Sequence, residues 1–144
     1  MLPGIQHRTG GRSVSIGRSR EDYLEAIYVL QERAGFVRNV DVARHMKLSK
    51  ASVSNMVAAL SSEGYIEKLS GAPWLLTLTD AGRRVAEQTY DRHCFFRELL
   101  LRSGVDGETA EREACELEHA ISHESFRLLR RLLSSAAYTE SCQG

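Results

Sequence analysis

Residues 41–64 read DVARHMKLSKASVSNMVAALSSEG, and their order spells two short helices separated by a tight turn. Val53, Met56, Val57 and Leu60 recur at i, i+3, i+4 and i+7, the spacing of one apolar helix face, and Gly64 stands where that helix would stop. Ser49 is placed to cap it, Lys47-Leu48 makes the turn, and a first short helix is predicted over about 41–46. Two short helices joined this way, the second ending in glycine, form a helix-turn-helix.

Downstream, the strand-like runs Tyr65–Leu69 and Trp74–Leu78 flank Ser70-Gly71-Ala72-Pro73, which predicts a hairpin in the place of a wing. Upstream, Ser19-Arg20-Glu21-Asp22 fits a capping box for a helix carrying Tyr23, Leu24, Ile27, Tyr28 and Leu30 to about Arg33, with Gly35 as its stop. Thr79-Asp80-Ala81-Gly82 starts a further helix reaching Tyr90 or beyond, and helices are predicted near 92–103, 108–121 and 123–134. Residues 1–18, rich in Gly, Ser and Arg, are expected to be a flexible basic arm, and 137–144 a tail. The expected fold is mainly α: a winged helix-turn-helix domain over 19–78, followed by an all-helical domain over 79–136, which the family resemblance described below makes the metal-binding and dimerisation domain.

The chain has 144 residues, 42% hydrophobic and 26% charged, enough for one core or a small domain with a helical appendage and too few for a large multidomain enzyme. No run reaches the roughly 18 apolar residues of a membrane span, and residues 1–20 carry Arg8, Arg12, Arg18 and Arg20 without an apolar signal core. Cys94, Cys115 and Cys142 are odd in number and form no CxxC pair, so a reducing, cytoplasmic location without a membrane partner is expected. The net charge is zero but unevenly spread: residues 1–78 hold 10 Lys/Arg against 7 Asp/Glu, and 79–144 hold 9 against 12. A basic front and an acidic back suit one chain with two tasks.

With Val53, Met56, Val57 and Leu60 turned inward, Ser49, Ala51, Ser52, Ser54 and Asn55 are left to face a major groove. Asn pairs bidentately with adenine, Ser donates or accepts, and Ala meets a thymine methyl. That reading head is uncharged, so affinity is expected from phosphate contacts by Arg38, Arg44, Lys47, Lys50, Lys68 and the arginines of the arm. The plain alternative is a solvated helix face.

Cys115-Glu116-Leu117-Glu118-His119 carries the densest chemistry. At about 100° per residue, Cys115, Glu118 and His119 share one arc, so a thiolate, a carboxylate and an imidazole leave the helix together. Three such donors begin a transition-metal site and leave it incomplete. Asp22 and Glu25, three apart, offer a second pair of oxygens, and His93 a second imidazole. Each also has an ordinary explanation: Asp22 as part of the capping box, Glu25 as a surface charge, Cys115 as a small core residue, His93 as a satisfied histidine. Glu116 and His119 match the Glu-x-x-His of di-iron bundles, but the motif occurs once where such bundles need two. There is no His-Glu-x-x-His, Gly-x-Ser-x-Gly or phosphate-binding glycine loop, so no enzyme is expected.

Taken together, SREDYLEAIYVL (19–30), LSKASVSNMVAALSSEGYI (48–66), LTLTDAGRR (76–84), DRH (91–93) and CELEHAIS (115–122) resemble the diphtheria toxin repressor family of metal-dependent regulators, particularly its short manganese transport regulator branch. The resemblance covers roughly residues 19–134. It implies a winged-helix domain followed by a helical dimerisation domain, metal-loaded dimers on palindromic operators, and Asp22, Glu25, His93, Cys115, Glu118 and His119 as ligands. Asp22 agrees with the manganese branch, whereas Cys115 agrees with the iron-dependent repressors. Arg97 departs from the glutamate that a second family site uses, and the SH3-like third domain of longer members is not expected.

The expectation is therefore a homodimeric repressor that becomes competent when Fe²⁺ or Mn²⁺ ties the first helix to the 115–119 helix. It would bind a palindromic double-stranded DNA operator of metal uptake or storage genes, with no small organic ligand. Two rivals stay open: a metal-independent winged-helix regulator whose polar residues form a salt-bridge network, and a metal-dependent hydrolase or oxidase built on the C-terminal helices.

Overall fold

The structure, a computed structural model, describes residues 15–135. Residues 1–14 of the expected arm, position 136 and the expected tail lie outside the described residues. Helix α1 spans Arg18–Ala34 and buries Tyr23, Leu24, Ala26 and Ile27 on one face. It begins one residue before the expected cap: Gly17, not Ser19, is the N-cap, and no side chain caps it. Ser19 lies inside the first turn, and the Asp22 carboxylate that would have folded back on it meets His119 Nε2 instead (2.6 Å), so the capping-box expectation fails, and Arg18 belongs to the helix rather than the arm. At the other end Gly35 adopts the left-handed conformation (φ 79°) and donates its N–H to the Gln31 carbonyl, the glycine stop that was expected.

Helix α2 covers Asn39–Met46, two residues longer at its start than expected, because the Asp41 carboxylate accepts the Arg38 backbone N–H (3.0 Å) from inside the first turn. Lys47 turns the chain with φ 56°, a left-handed non-glycine. Ser49 Oγ then accepts from Ser52 N (3.1 Å) and opens α3, Lys50–Ser62. Val53, Val57 and Leu60 enter the core and Met56 is half-buried, in line with the expected face.

The wing is an antiparallel hairpin, β1 (Ile66–Leu69) and β2 (Ala72–Leu78), with Ile66 opposite Leu78. Its loop is tighter than expected: only Ser70 and Gly71 connect the strands, and Ala72 and Pro73 belong to β2, beside a register irregularity at Lys68/Leu69. Proline is tolerated there because a two-stranded sheet has only edges. Val37 bridges to Leu76, whose N–H reaches the Val37 carbonyl (2.8 Å), so the segment between α1 and α2 docks on the wing's base. Leu24, Ile27, Val37, Val42, Val53, Leu60 and Ile66 close the core between these elements.

Thr79 joins the wing to α4. Its hydroxyl donates to the Gly64 carbonyl (2.7 Å) and accepts from Gly82 N (3.1 Å). Gly82 packs so closely on Tyr65 that a Cβ would run into the Tyr65 carbonyl. Helix α4 is continuous from Asp80 to Arg102, correcting the expectation of two helices meeting near residue 91. Neither Gly nor Pro occurs after Gly82 in it, and Arg92 and His93, just past the expected boundary, are buried. Helix α5 (Gly107–Ala120) is capped by Asp106, whose carboxylate accepts from Thr109 N (3.0 Å), and packs on α4. All these elements form one compact unit, Ile16–Ile121. Helix α6 (His123–Ser134), capped by Ser122, falls in a separate unit and exposes Leu128 and Leu132.

Candidate metal centre

Three helices supply the cluster. Helix α1 contributes Glu21, Asp22 and Glu25 on the flank beside its core face; α4 contributes Arg92, His93 and Arg97; α5 contributes Glu111, Cys115, Glu118 and His119. On α5 the positions 111, 115 and 118 lie at i, i+4 and i+7, so helical geometry alone stacks them.

Glu118 is the pivot. Its side chain is fully buried, and its Oε2 lies 2.8 Å from His93 Nδ1. Its Oε1 lies 3.0 Å from His119 Nε2 but forms no hydrogen bond among the described residues. Cys115 Sγ is 3.7 Å from His93 Nδ1. His119 is held between two α1 carboxylates: Nδ1 is 2.8 Å from Glu21 Oε2, and Nε2 is 2.6 Å from Asp22 Oδ1. Two overlapping triads result among the described residues, His93/Cys115/Glu118 and Asp22/Glu118/His119, each with donor atoms within 4.8 Å of one another. Glu25 lines the same cleft of about 610 Å³ and sits close enough to Glu118 to feel its charge. The structure thus brings together the six residues singled out in the sequence, five in the triads and Glu25 at their rim.

Each imidazole has an acceptor at both ring nitrogens, which favours the doubly protonated form. Hydrogen bonds to Cys115 and Glu118 outweigh burial and raise His93 to about 11. For His119, burial pushes the pKa down, but the negative oxygens of Asp22, Glu118 and Glu21 around the ring outweigh it and raise the value to about 11. Glu118 is pushed up by burial and pulled further down by His119 and His93, so it stays ionised. Glu25 rises to about 8, through burial first and then the Glu118 charge, and holds its proton at neutral pH. Two imidazolium cations therefore occupy a nest of carboxylates.

The fit to a divalent cation follows from this chemistry. A buried carboxylate with an unsatisfied oxygen is costly unless a cation or donor completes it. Around the Glu118 carboxylate stand a second carboxylate, two imidazoles and one thiol, a donor set suited to a first-row transition metal. Three neighbours were missed in the sequence. Glu21 was only an intervening position in the expected capping box, and neither Arg92, whose Nε donates to the Glu118 backbone carbonyl (2.8 Å) and whose Nη2 lies 3.9 Å from Glu21, nor Glu111 was singled out. The i, i+4 relation of Glu21 to Glu25 and of Glu111 to Cys115 was the available signal.

On α3, Ser49, Lys50, Ala51, Ser52, Ser54 and Asn55 are all exposed, as are Lys47, Lys68 and Arg44. Ser49 is committed to Ser52, and Arg38 to Asp41 (3.1 Å), so these two are less available for DNA than their exposure suggests. Asn39 Nδ2 reaches Ser54 Oγ at 3.4 Å.

Comparison with known proteins gives two domain matches: residues 15–69 to the iron dependent repressor N-terminal DNA binding domain, and residues 79–142 to the iron dependent repressor metal binding and dimerisation domain. The transcriptional regulator MntR of Escherichia coli O157:H7 is 34% identical over 129 residues, covering 87% of this chain and 81% of that protein. The regulator MntR of Geobacillus kaustophilus is 35% identical over 106 residues, 72% of each chain. Among solved structures, the manganese regulator SloR superposes with a TM-score of 0.70 at 30% identity over 81% of this chain, and IdeR of T. acidophilum with 0.67 at 29% identity over 84%. This chain spans about half the length of those two structures, 54% and 55%.

Proposed function

We propose a function from this premise: the chain belongs to the iron-dependent repressor family, with a DNA-binding domain followed by a metal-binding and dimerisation domain. It is a transcriptional repressor that binds operator DNA as a homodimer in response to Fe²⁺ or Mn²⁺ and controls metal homeostasis genes. The observation that carries this reading is Glu118: a fully buried α5 carboxylate with an unsatisfied oxygen, flanked by Asp22 of α1 and His93 of α4.

In this reading Asp22, Glu25, His93, Cys115, Glu118 and His119 hold the ion, which supplies a compact dication in place of the two imidazolium charges. Ligands from α1 and α5 then join the helix that buttresses α3 to the helix of the dimerisation region. Arg20 of α1 clamps Glu63 at the end of α3 through Nε and Nη2 (2.9 and 2.7 Å), so the position of α1 is conveyed to the reading helix. Ala51, Ser52, Ser54 and Asn55 face the bases, with Ser49 setting the helix start; Lys47, Lys50, Lys68, Arg38 and Arg44 face phosphate. A ligand set that favours the DNA-competent arrangement shifts the population towards it. The cluster senses rather than catalyses, as suits a relative of transcriptional regulators. A DNA-binding regulator works in the cytoplasm, and no helix among the described residues is long and apolar enough to cross a membrane.

The test is operator binding measured in chelator and then in a Mn²⁺ or Fe²⁺ titration. Affinity should rise with metal in the wild type, and His119→Ala should bind as the chelated protein does. Equal operator affinity with and without metal would overturn the proposal.

A further inference from the structure

The outward side of His93 is occupied by a pair of residues that the ligand set leaves unused. Its Nε2 lies 2.9 Å from Glu111 Oε1, and the other oxygen of Glu111 accepts from Arg97 Nε at 2.7 Å. Arg97 is one turn beyond His93 on α4, and Glu111 one turn before Cys115 on α5, so the chain Arg97–Glu111–His93 crosses the α4–α5 interface beside the cluster. His93 is buried while Glu111 and Arg97 are half-exposed, which puts the pair between the cluster and solvent.

We propose that Glu111, braced by Arg97, is the positioning residue for His93: it accepts the hydrogen bond of Nε2–H, points Nδ1 at Cys115 and Glu118, and with Arg97 closes this side of the centre to a second metal ion. A metal-binding histidine is generally held by a hydrogen bond from its other ring nitrogen to a carboxylate, which fixes the tautomer and the ring plane. Glu111 is placed for that bond. The same imidazole and carboxylate would otherwise make the start of another cation site, since both are metal donors. The Arg97 guanidinium already supplies Glu111 with a cation, and a dication at the same carboxylate would meet its repulsion. Among the described residues Glu111 falls in neither donor triad. This inference rests on the metal centre proposed above and adds which nitrogen binds and how many ions enter.

The experiment uses the full chain, freed of metal and titrated with Mn²⁺ by equilibrium dialysis, with circular dichroism as the check on folding. Wild type should take up one Mn²⁺ per chain. Arg97→Glu, which places a second carboxylate beside Glu111 and His93, should take up two, and Arg97→Gln should gain a second ion more weakly. Glu111→Ala should lose about 10-fold or more in affinity for the first ion, and Glu111→Gln, whose amide oxygen still accepts from Nε2, should recover most of it. The ¹⁵N shifts of the His93 ring should report an Nε2-protonated tautomer in the metal-loaded wild type that is lost in Glu111→Ala. A folded Arg97→Glu that stays at one ion, or a Glu111→Ala with unchanged affinity and tautomer, would overturn this inference alone. No Mn²⁺ uptake by wild type would overturn the metal centre as well.

Discussion

Protons occupy the cluster before any metal does. His93 and His119, raised to about 11, and Glu25, raised to about 8, all carry protons at neutral pH. For the two histidines the folded value exceeds the unfolded ~6.5, so their contribution to stability is complete below ~6.5 and is lost as pH rises towards 11. Glu25 acts in the same direction: its charged form is disfavoured in the fold, so stability falls as pH climbs from its ordinary carboxylate range through about 8. The metal-free protein should therefore lose stability as pH rises out of the carboxylate range, and more steeply above ~6.5, where the histidines add to Glu25. Metal ligation needs those protons removed, so Mn²⁺ affinity should rise by about 10-fold or more per pH unit near neutrality, corresponding to release of at least one proton per ion. Competition with a fluorescent chelator at several pH values measures the slope, and a flat profile would contradict the geometry. On the proposed ligand set Cys115 is expected to set the choice of metal, because a thiolate is softer than the carboxylates around it and favours Fe²⁺ over Mn²⁺. Cys115→Glu should move the preference towards Mn²⁺ in a paired titration; a Cys115→Ser variant with wild-type affinity and selectivity would show that the thiol only packs.

At the scale of elements, α1 is the shared part. Its core face carries Leu24 and Ile27, its flank carries the acidic donors, and its first turn reaches α5 through the Arg18–Glu116 pair (2.6 Å) and α3 through Arg20–Glu63. Exposed ion pairs contribute little to stability, about 0–1 kcal/mol. Arg20→Ala is therefore expected to leave the fold and Mn²⁺ affinity intact while reducing the gain in operator affinity on adding metal, by up to about 5-fold. Operator binding with and without Mn²⁺ measures that gain, and an unchanged ratio would remove the clamp from the coupling path. On α3 the proposal divides the exposed residues by task. Asn55→Ala should relax base preference by about 1–3 kcal/mol at one position per half-site, whereas Lys50→Ala should weaken specific and non-specific binding alike and reduce the salt slope. Binding to operator variants across a salt series distinguishes the two; the reverse pattern would exchange their roles.

For the molecule as a whole, donors from α1, α4 and α5 meet at a single buried carboxylate, so an ion there binds the folded arrangement and not the unfolded chain. At a free metal concentration 100 times Kd, such binding adds about 2.7 kcal/mol of stability. For a chain of this size that corresponds to a rise of roughly 5–10 °C in Tm. Thermal unfolding in chelator and in excess Mn²⁺ checks this, and His119→Ala should abolish most of the shift. A His119→Ala chain that still gained the full shift would place the stabilising ion elsewhere.

The sequence by itself determined the helix-turn-helix, the wing and the identity of the six clustered residues. Ser49 caps α3 three residues ahead of its target, Gly35 stops α1 four residues beyond Gln31, and Val53, Val57 and Leu60 share a face because a helix repeats every 3.6 residues. Such signals close within a turn or two, so they survive in a one-dimensional reading. Where ionisable side chains would be buried was decided only by tertiary structure. Glu21 had no role in the sequence until His119, 98 residues later, came to lie 2.8 Å away. A helix boundary was expected near residue 91, yet Arg92 and His93 lie in the buried middle of a 23-residue helix, where the carbonyl and carboxylate of Glu118 receive them. A charged residue reads as surface unless its counter-charge is in view. Here the counter-charges arrive from other helices, and only the packing of α1, α4 and α5 makes their burial affordable.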